Sequence, residues 1–456
     1  MADTYIYRQC DATADSGYST TWTWSGWVKR SSIGSPEQGI FMNKKDSDNT
    51  ASRFRMSFGS NHRLLWECKD STNSDDNSFQ TNMQFKDTNA WYHIVFSYDS
   101  TQGTEANRLK LWVNGVDIRN DGGGFASIDE ASNGFGTLWS SASKHYLGRT
   151  SNNSGTAHYF DGCMSHVHLT YGTTYTASAF GETDTTTGEW KIKTTPSVTY
   201  GSQGYFMLKN DNSLNDDSGE GNNFTLGGGT LTKSEDCPSN VFATLNNLNP
   251  NTNGEHSFSN GSTVFTNFSD GNHVMTCSNL AAFSGKFYAE VKVTALGGTY
   301  PQIGVIDPNL LLFNTYFGAA GRGYGYLSNG QKQFNNSASS FGNSYTTGDV
   351  ICIAMDLDNH KLYFRKNDNA WENSGNPESG STGTGSAFDL ATGTFYSFGQ
   401  SAYDSGTNPV YSWNFGNGYF GTTAISSEGT NASGIGKFEY DVPAGYTALS
   451  TKGLNE

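Results

Sequence analysis

LKLWVNGVD, residues 109–117, alternates Leu109, Leu111 and Val113 with Lys110 and Trp112 before it reaches Asn114-Gly115. Side chains two apart in an extended chain share a face, and Asn-Gly takes the positive φ angles of the tight primed turns that join twisted strands. The stretch therefore reads as a β-hairpin whose inner face is Leu109, Leu111 and Val113. A similar run, KLYFRKNDN at residues 361–369, reads the same way. Two such hairpins far apart in the chain point to two similar domains, with the hairpins as scaffold rather than site.

Composition agrees with a chain made of strands. Of 456 residues, 54 are Gly and 14% are aromatic, while only 16% are charged; no sustained i, i+3, i+4, i+7 apolar pattern marks a long helix. The length suits two or three domains. Polar runs such as DSTNSDDNS (70–78) and NSGNPESGSTGTGS (373–386) separate short apolar segments, as the loops of β-sandwiches do.

The formal charge of −15 repels phosphate backbones and acidic membrane surfaces, so no nucleic-acid partner is expected. No stretch approaches the roughly 18 apolar residues of a membrane span, so no membrane insertion is expected either. The start MADTYIYRQC lacks the basic and apolar regions of a secretion signal, which predicts synthesis in a cytoplasm. Cys10, Cys68, Cys163, Cys237, Cys277 and Cys352 lie far apart without a CxxC pair, which indicates neither a zinc site nor a dense disulfide framework. Cys352, inside VICIAMDL, reads as a small buried apolar residue.

Further alternating runs fill the first part of the chain: TWTWSGWVK (21–29), SRFRMSFG (52–59), HRLLWECK (62–69), WYHIVFSYD (91–99), KHYLGR (144–149) and FDGCMSHVHLTYG (160–172). Together they predict an antiparallel sandwich. In this order, TWTWSGWVK, WYHIVFSYD, RLKLWVNGVDI and YFDGCMSHVHLTYG resemble the signature strands of the laminin-G-like members of the concanavalin A-like lectin and glucanase superfamily. After residue 250, SGKFYAEVKV (284–293), QIGVID (302–307), GYGYLSNGQKQFN (323–335), TGDVICIAMDLDNHKLYFRKND (347–368), FYSFGQ (395–400) and WNFG (413–416) resemble the strands of a SPRY domain, another antiparallel sandwich. VICIAMDL is apolar in both phases, as a central strand covered on both sides should be.

The predicted fold is thus all-β: a laminin-G-like jelly roll at 1–183, an ordered connector at 184–250 with strands only in GYFMLKNDNS and DDSGEGNNFTL, and a SPRY-like sandwich at 251–456. This order, with DDSGEGNNF (216–224) and DCPSNVFATLNNLNP (236–250), resembles virion proteins of tailed phages of marine bacteria. The resemblance implies a non-enzymatic tail-fibre or surface-appendage protein, assembled in the host cytoplasm and exposed on the particle. Its expected partners are other virion proteins and a host-surface glycan, and it is expected to be a homo-oligomer or particle-bound. A purely structural role in head decoration or tail scaffolding is the rival from a different class; a glycan-degrading enzyme is the other.

Retaining glucanases of this fold carry an E-x-D-x-x-E strand, whose alternation sets a nucleophile and an acid on one face. The nearest string here is ETDTTTGE (182–189), in which Glu182 and Asp184 fit, Thr187 replaces the second glutamate and Glu189 comes two residues late. It reads as a loop, and no catalytic residue is assigned. His166 and His168 lie on one side of a strand at a spacing compatible with zinc, but without a third ligand they read as a solvated or interface face, with Cys163, Val167 and Leu169 toward the core. Asp46, Asp48 and Asn49 offer hard oxygen ligands for calcium or simply form a polar hairpin loop; DLDN (356–359) reads as turn chemistry. Apart from calcium, no cofactor is expected. Trp139 and Trp371 sit at strand ends among polar residues and are the candidates for sugar stacking, against a role as loop anchors. Trp22, Trp24, Trp27, Trp91 and Trp112 fall in strand patterns and read as core.

Overall fold

The structure, a computed structural model, describes residues 3–10, 18–33, 36–45, 53–69, 77–140, 143–151, 156–209, 211–248, 256–268, 273–298, 301–311, 315–403 and 406–455. It is all-β, with 46% of residues in strands and 5% in helices, the latter only short 3₁₀ turns among the described residues. The chain divides into two compact units, Met1–Lys233 and Ser234–Glu456.

In the first unit an eight-stranded antiparallel sheet runs in the order Phe125–Asp129, Asn77–Gln84, Arg63–Lys69, Arg53–Phe58, Gln38–Lys45, Ser143–Leu147, Tyr5–Gln9 and Thr225–Gly228. A six-stranded sheet faces it: Val116–Asp117, Leu109–Val113, Tyr92–Asp99, Thr21–Arg30, Gly162–Tyr171 and Tyr205–Met207. The opening hairpin behaves as its alternation requires. Leu109, Leu111 and Val113 are buried in the core between the sheets, while Trp112 turns the other way into a separate apolar cluster with Val95, Ala177 and Phe180. All five tryptophans read as core are buried.

That second cluster shows that the six-stranded sheet is covered on its outer face as well. The cover is the segment 175–200, which brings Tyr175, Phe180, Trp190 and Val198 over residues in the polar phase of the strands. Residues 184–250, expected as a connector, are shared between the two units. Tyr205–Met207 adds an edge strand beside Gly162–Tyr171, and Thr225–Gly228 adds one beside Tyr5–Gln9. The DDSGEGNNF segment between them is a hydrogen-bonded loop. Asp216 accepts from the backbone N–H of Phe206, Ser218 and Asn222, and Asn222 donates to the carbonyls of Ser202 and Gly204. A loop that satisfies its backbone this way holds the neighbouring strand without a helix or sheet of its own.

The second unit is also a sandwich. One sheet runs His256–Ser259, Val264–Asn267, Val410–Asn414, Lys286–Ala295, Val350–Asp356, Lys361–Lys366 and Phe388–Asp389; the other runs His273–Cys277, Ser397–Tyr403, Gln302–Ile306, Gly323–Leu327, Gln331–Phe334 and Ser337–Ser340. Every residue of Val350–Asp356 is buried. Ile351, Ile353 and Met355 enter the core between the sheets, and Cys352 and Ala354 enter a second cluster with Phe438, Val442 and Tyr446 from the segment that crosses the outer face. The apolar reading of both phases of VICIAMDL is borne out. The DCPSNVFATLNNLNP signature belongs here: Phe242 bridges Ser450 and Leu245 bridges Ser278.

One carboxylate holds the outer cover in place. Glu290, fully buried on Lys286–Ala295, accepts the backbone N–H of Glu439 (2.9 Å) and of Tyr440 (2.8 Å), the Tyr288 hydroxyl (3.1 Å) and the Asn414 amide (3.1 Å). Burial pushes its pKa up from 4.5 to about 7, against the opposing effect of these four donors.

Two outcomes follow. Leu111→Ala removes buried methyl groups from the core and should cost about 2–4 kcal/mol, whereas Lys110→Ala on the other phase should leave the melting midpoint nearly unchanged. Glu290 keeps its proton up to about pH 7 in the fold but loses it near 4.5 when unfolded. Its favourable share of stability is therefore complete below about pH 4.5 and is lost as pH rises through about 7, by about 3 kcal/mol. Denaturation of the full chain across this window should show that decline, and Glu290→Gln, though less stable throughout, should flatten it.

Candidate ligand-binding face

With the six-stranded sheet covered on both sides, the outer face of the eight-stranded sheet is where the first unit presents ordered side chains. Strand pairing aligns Tyr7, Tyr146, Met42, Arg55, Glu67 and Ser78 in one row across six strands. A neighbouring row carries Ser57, Leu65, Gln80 and Ser127. The alternating residues Phe54, Met56, Phe58, Leu64, Trp66 and Phe79 point the opposite way into the core. Arg55, Ser57, Leu65, Glu67, Gln80 and Ser127 line a shallow groove on this face.

An ion-pair network fixes the groove floor. Arg55 donates to Glu37 at 2.6 Å and to Glu67 at 3.0 Å, Ser57 donates to Glu37 at 2.6 Å, and Arg53 pairs with Glu67. Burial raises the Glu67 carboxyl pKa, but Arg55 and Arg53 outweigh burial and hold it below the usual carboxylate value. A guanidinium shared between two carboxylates is a rigid, planar array of donors and acceptors, suited to neutral hydroxyl groups.

The residues singled out from sequence are distributed differently. Trp139 is completely buried, stacked near His145 and Phe54 with its indole N–H on Thr137, so it belongs to the core. Trp371 is half-buried, with the Arg365 guanidinium 5.0 Å from its ring centre. Asp46, Asp48 and Asn49 lie outside the described residues. Among the described residues, no group of three or more His, Cys, Asp or Glu side chains is placed to hold a metal ion. Asp356 and Asp358 serve the turn as expected, accepting from Asn359 and Gly285.

The histidines are a correction. A bulge between Ser165 and His168 puts His166 at φ 48° and reverses the strand's phase, so Met164 packs on the core instead of Cys163. His168 is buried rather than solvated, its ring 4.0 Å from that of Phe206 and near Phe180, because the cover over this sheet comes from residues distant in sequence. Burial holds His168 well below its ordinary pKa and lowers His166 to about 4. Glu182, Asp184 and Glu189 sit in a two-stranded hairpin, Gly181–Thr183 with Trp190–Ile192. Asp184 caps its turn by accepting from the backbone of Thr186 and Thr187, which with Lys191 lowers its pKa to about 2.

A serine–histidine contact lies under the cover. Ser25 Oγ is 2.9 Å from His93 Nε2, and Trp190 donates its indole N–H to His93 Nδ1 at 2.9 Å. Because indole only donates, Nδ1 carries no proton; the neutral ring is protonated on Nε2 and donates to Ser25. That is the opposite of a base taking a proton from the serine, and burial lowers the His93 pKa to about 3. Trp190 is seated by the opening hairpin itself. A Cβ on Gly115, at φ 79°, would come within 2.4 Å of the indole, and one on Gly181 within 2.5 Å.

The fold of the first unit has a known counterpart. Residues 3–177 match the family described as the concanavalin A-like lectin/glucanases superfamily, so the first unit is built on a concanavalin A-like domain. Similar solved structures include the SPRY domain of human HERC1 (16% identity over 33% of this chain and 87% of that one, TM-score 0.27). A human SPRY domain is also similar (13%, 33% and 90%, TM-score 0.26), as is a heptameric SAP-like pentraxin from Limulus polyphemus (13%, 37% and 70%, TM-score 0.26). No curated protein matches the chain.

Gly115→Ala tests the seat of Trp190. The side chain meets both a left-handed backbone and the indole, so the variant should lose about 1–3 kcal/mol and shift tryptophan fluorescence. A wild-type melt with unchanged fluorescence would show that the hairpin turn does not hold the cover.

Proposed function

We propose that the protein is a non-enzymatic attachment protein of a phage particle, which binds surface glycans through the outer face of the eight-stranded sheet. The observation that carries this reading is the Arg55–Glu37–Glu67 groove. It is a preorganised set of hydrogen-bonding groups, in the same row as Tyr146 and Tyr7 two and three strands away, on a domain of the concanavalin A-like superfamily. Sugars need such amide, hydroxyl and charged groups beside an aromatic ring. The particle assignment is supported by the order of the two sandwiches and by the DDSGEGNNF and DCPSNVFATLNNLNP signatures.

A binding role rather than hydrolysis is supported by how the carboxylates are used. A general acid must carry a proton near neutral pH. Glu67 is held low by its arginines, Asp184 is committed to a turn, and both Glu37 and Glu67 are tied to Arg55.

A shallow groove buries little apolar area, so one site should bind on the order of millimolar. Linked copies should raise avidity roughly 10² to 10⁴-fold. Beads carrying many copies should therefore retain host cells and immobilised glycans where the free protein does not, and Gln80→Ala or Tyr7→Ala should reduce retention without lowering the melting midpoint. Beads that ignore cells and glycans but capture purified virion components would replace this reading with a structural one.

A further inference from the structure

On the same side of the eight-stranded sheet as the groove lies a cation with unspent donors. Arg149 follows Gly148 at the end of the strand Ser143–Leu147, and its guanidinium lies 4.8 Å from the ring centre of Tyr5, 5.5 Å from that of Tyr146 and 5.8 Å from that of Tyr159. Its Nε is buried without a hydrogen-bond partner, and no acceptor or carboxylate lies on the guanidinium among the described residues. Arg53, Arg55 and Arg119 are by contrast paired with carboxylates. The residue is half-buried.

The seat is built into the sheet. Tyr5 lies against the glycines of the edge strand Thr225–Gly228, where a Cβ on Gly227 would come within 2.1 Å of the Tyr5 ring. Tyr159 is held opposite Arg149 by strand pairing. Aromatic faces orient a guanidinium without using its N–H groups, which stay available for a planar or tetrahedral oxyanion. Tyr146 also belongs to the row that leads through Met42 to Arg55, two strand spacings or about 10 Å away. Met42, between them, is covered by the strand Arg149–Ser151, whose Ser151 N–H lies 3.3 Å from the Met42 sulfur, so Arg149 is a place of its own beside the groove.

We propose that Arg149 on its tyrosine seat is an anchoring site for the acidic substituent of a glycan, a carboxylate or a sulfate ester. The inference rests on the glycan-binding reading and narrows its ligand to acidic polysaccharides. Tyrosine flanks suit sugar rings, and the chain's charge of −15 disfavours densely charged polyanions such as nucleic acid.

The test is affinity electrophoresis of the full chain through gels containing polygalacturonate, chondroitin sulfate or neutral dextran, at low and at high salt. The acidic polysaccharides should retard the wild type, less so at high salt. Arg149→Met, which keeps the stem on the rings and removes the charge, should lose at least tenfold of that retardation with an unchanged melting midpoint. Arg149→Lys should retain part of it. Polygalacturonate carries carboxylates alone and chondroitin sulfate carries carboxylates and sulfate esters, so retardation by chondroitin sulfate without retardation by polygalacturonate assigns the sulfate. Equal retardation of wild type and Arg149→Met, or retardation by dextran alone, overturns the acidic-glycan inference while leaving glycan binding intact. Failure of all three polysaccharides, together with failure of the bead assay, removes both.

Discussion

One sheet in each unit must bury both of its faces, and most of the chemistry in this protein follows from that constraint. A sandwich strand normally sends alternate residues to solvent. Here segment 175–200 closes over the six-stranded sheet of the first unit, and the segment around Phe438 closes over one sheet of the second. Polar residues that alternation assigned to water are therefore interior, and several are hydrogen-bonded there. His93 bonds Ser25 and Trp190, His168 bonds Tyr200, and Glu290 accepts four donors. Their shifted pKa values express burial, so a perturbed histidine here is a packing statement rather than a mark of catalysis.

The same constraint explains which outer face is left with ordered polar side chains. Outside the strip at Gly39 and Met42, which the strand Arg149–Ser151 covers, the eight-stranded sheet of the first unit keeps its outer phase for arginine, glutamate, tyrosine and amide side chains. Sharing Arg55 between Glu37 and Glu67 removes a mobile charge from the groove while leaving oriented lone pairs and N–H groups. Such a surface discriminates by geometry more than by strength.

What was legible in the sequence was whatever depends on near neighbours. The period-two pattern of Leu109, Leu111 and Val113 fixed the hairpin and its inner face, and the double apolar phase of VICIAMDL announced a strand covered twice. Trp139 reads as loop because of its flanking Gly and Ser residues, while most of the rings that enclose it, Trp22, Phe54 and Tyr171, come from strands far away in the chain. His168 was misread for the same reason, since Phe206 and Phe180 cannot be placed over it by alternation alone. The charged phases of SRFRMSFG and HRLLWECK were visible. That Arg55 and Glu67 stand opposite each other, with Glu37 behind, depends on register and on a bulge between Gly39 and Phe41. One role of LKLWVNGVD lies outside sequence reach: its glycine, Gly115, is the floor on which Trp190 rests.

The cover of the second unit has a consequence for how that unit comes apart. It is mostly irregular chain, tied across the sheet by backbone N–H groups of Glu439 and Tyr440 on one carboxylate. Elements with few ladder bonds open at lower free energy than the strands beneath them. Lifting this one would bare Tyr288, Cys352, Ala354 and Tyr363 while the sandwich core stayed closed. The first partly open species would thus be native-like yet sticky along a sheet surface, and self-association would begin from it before global melting.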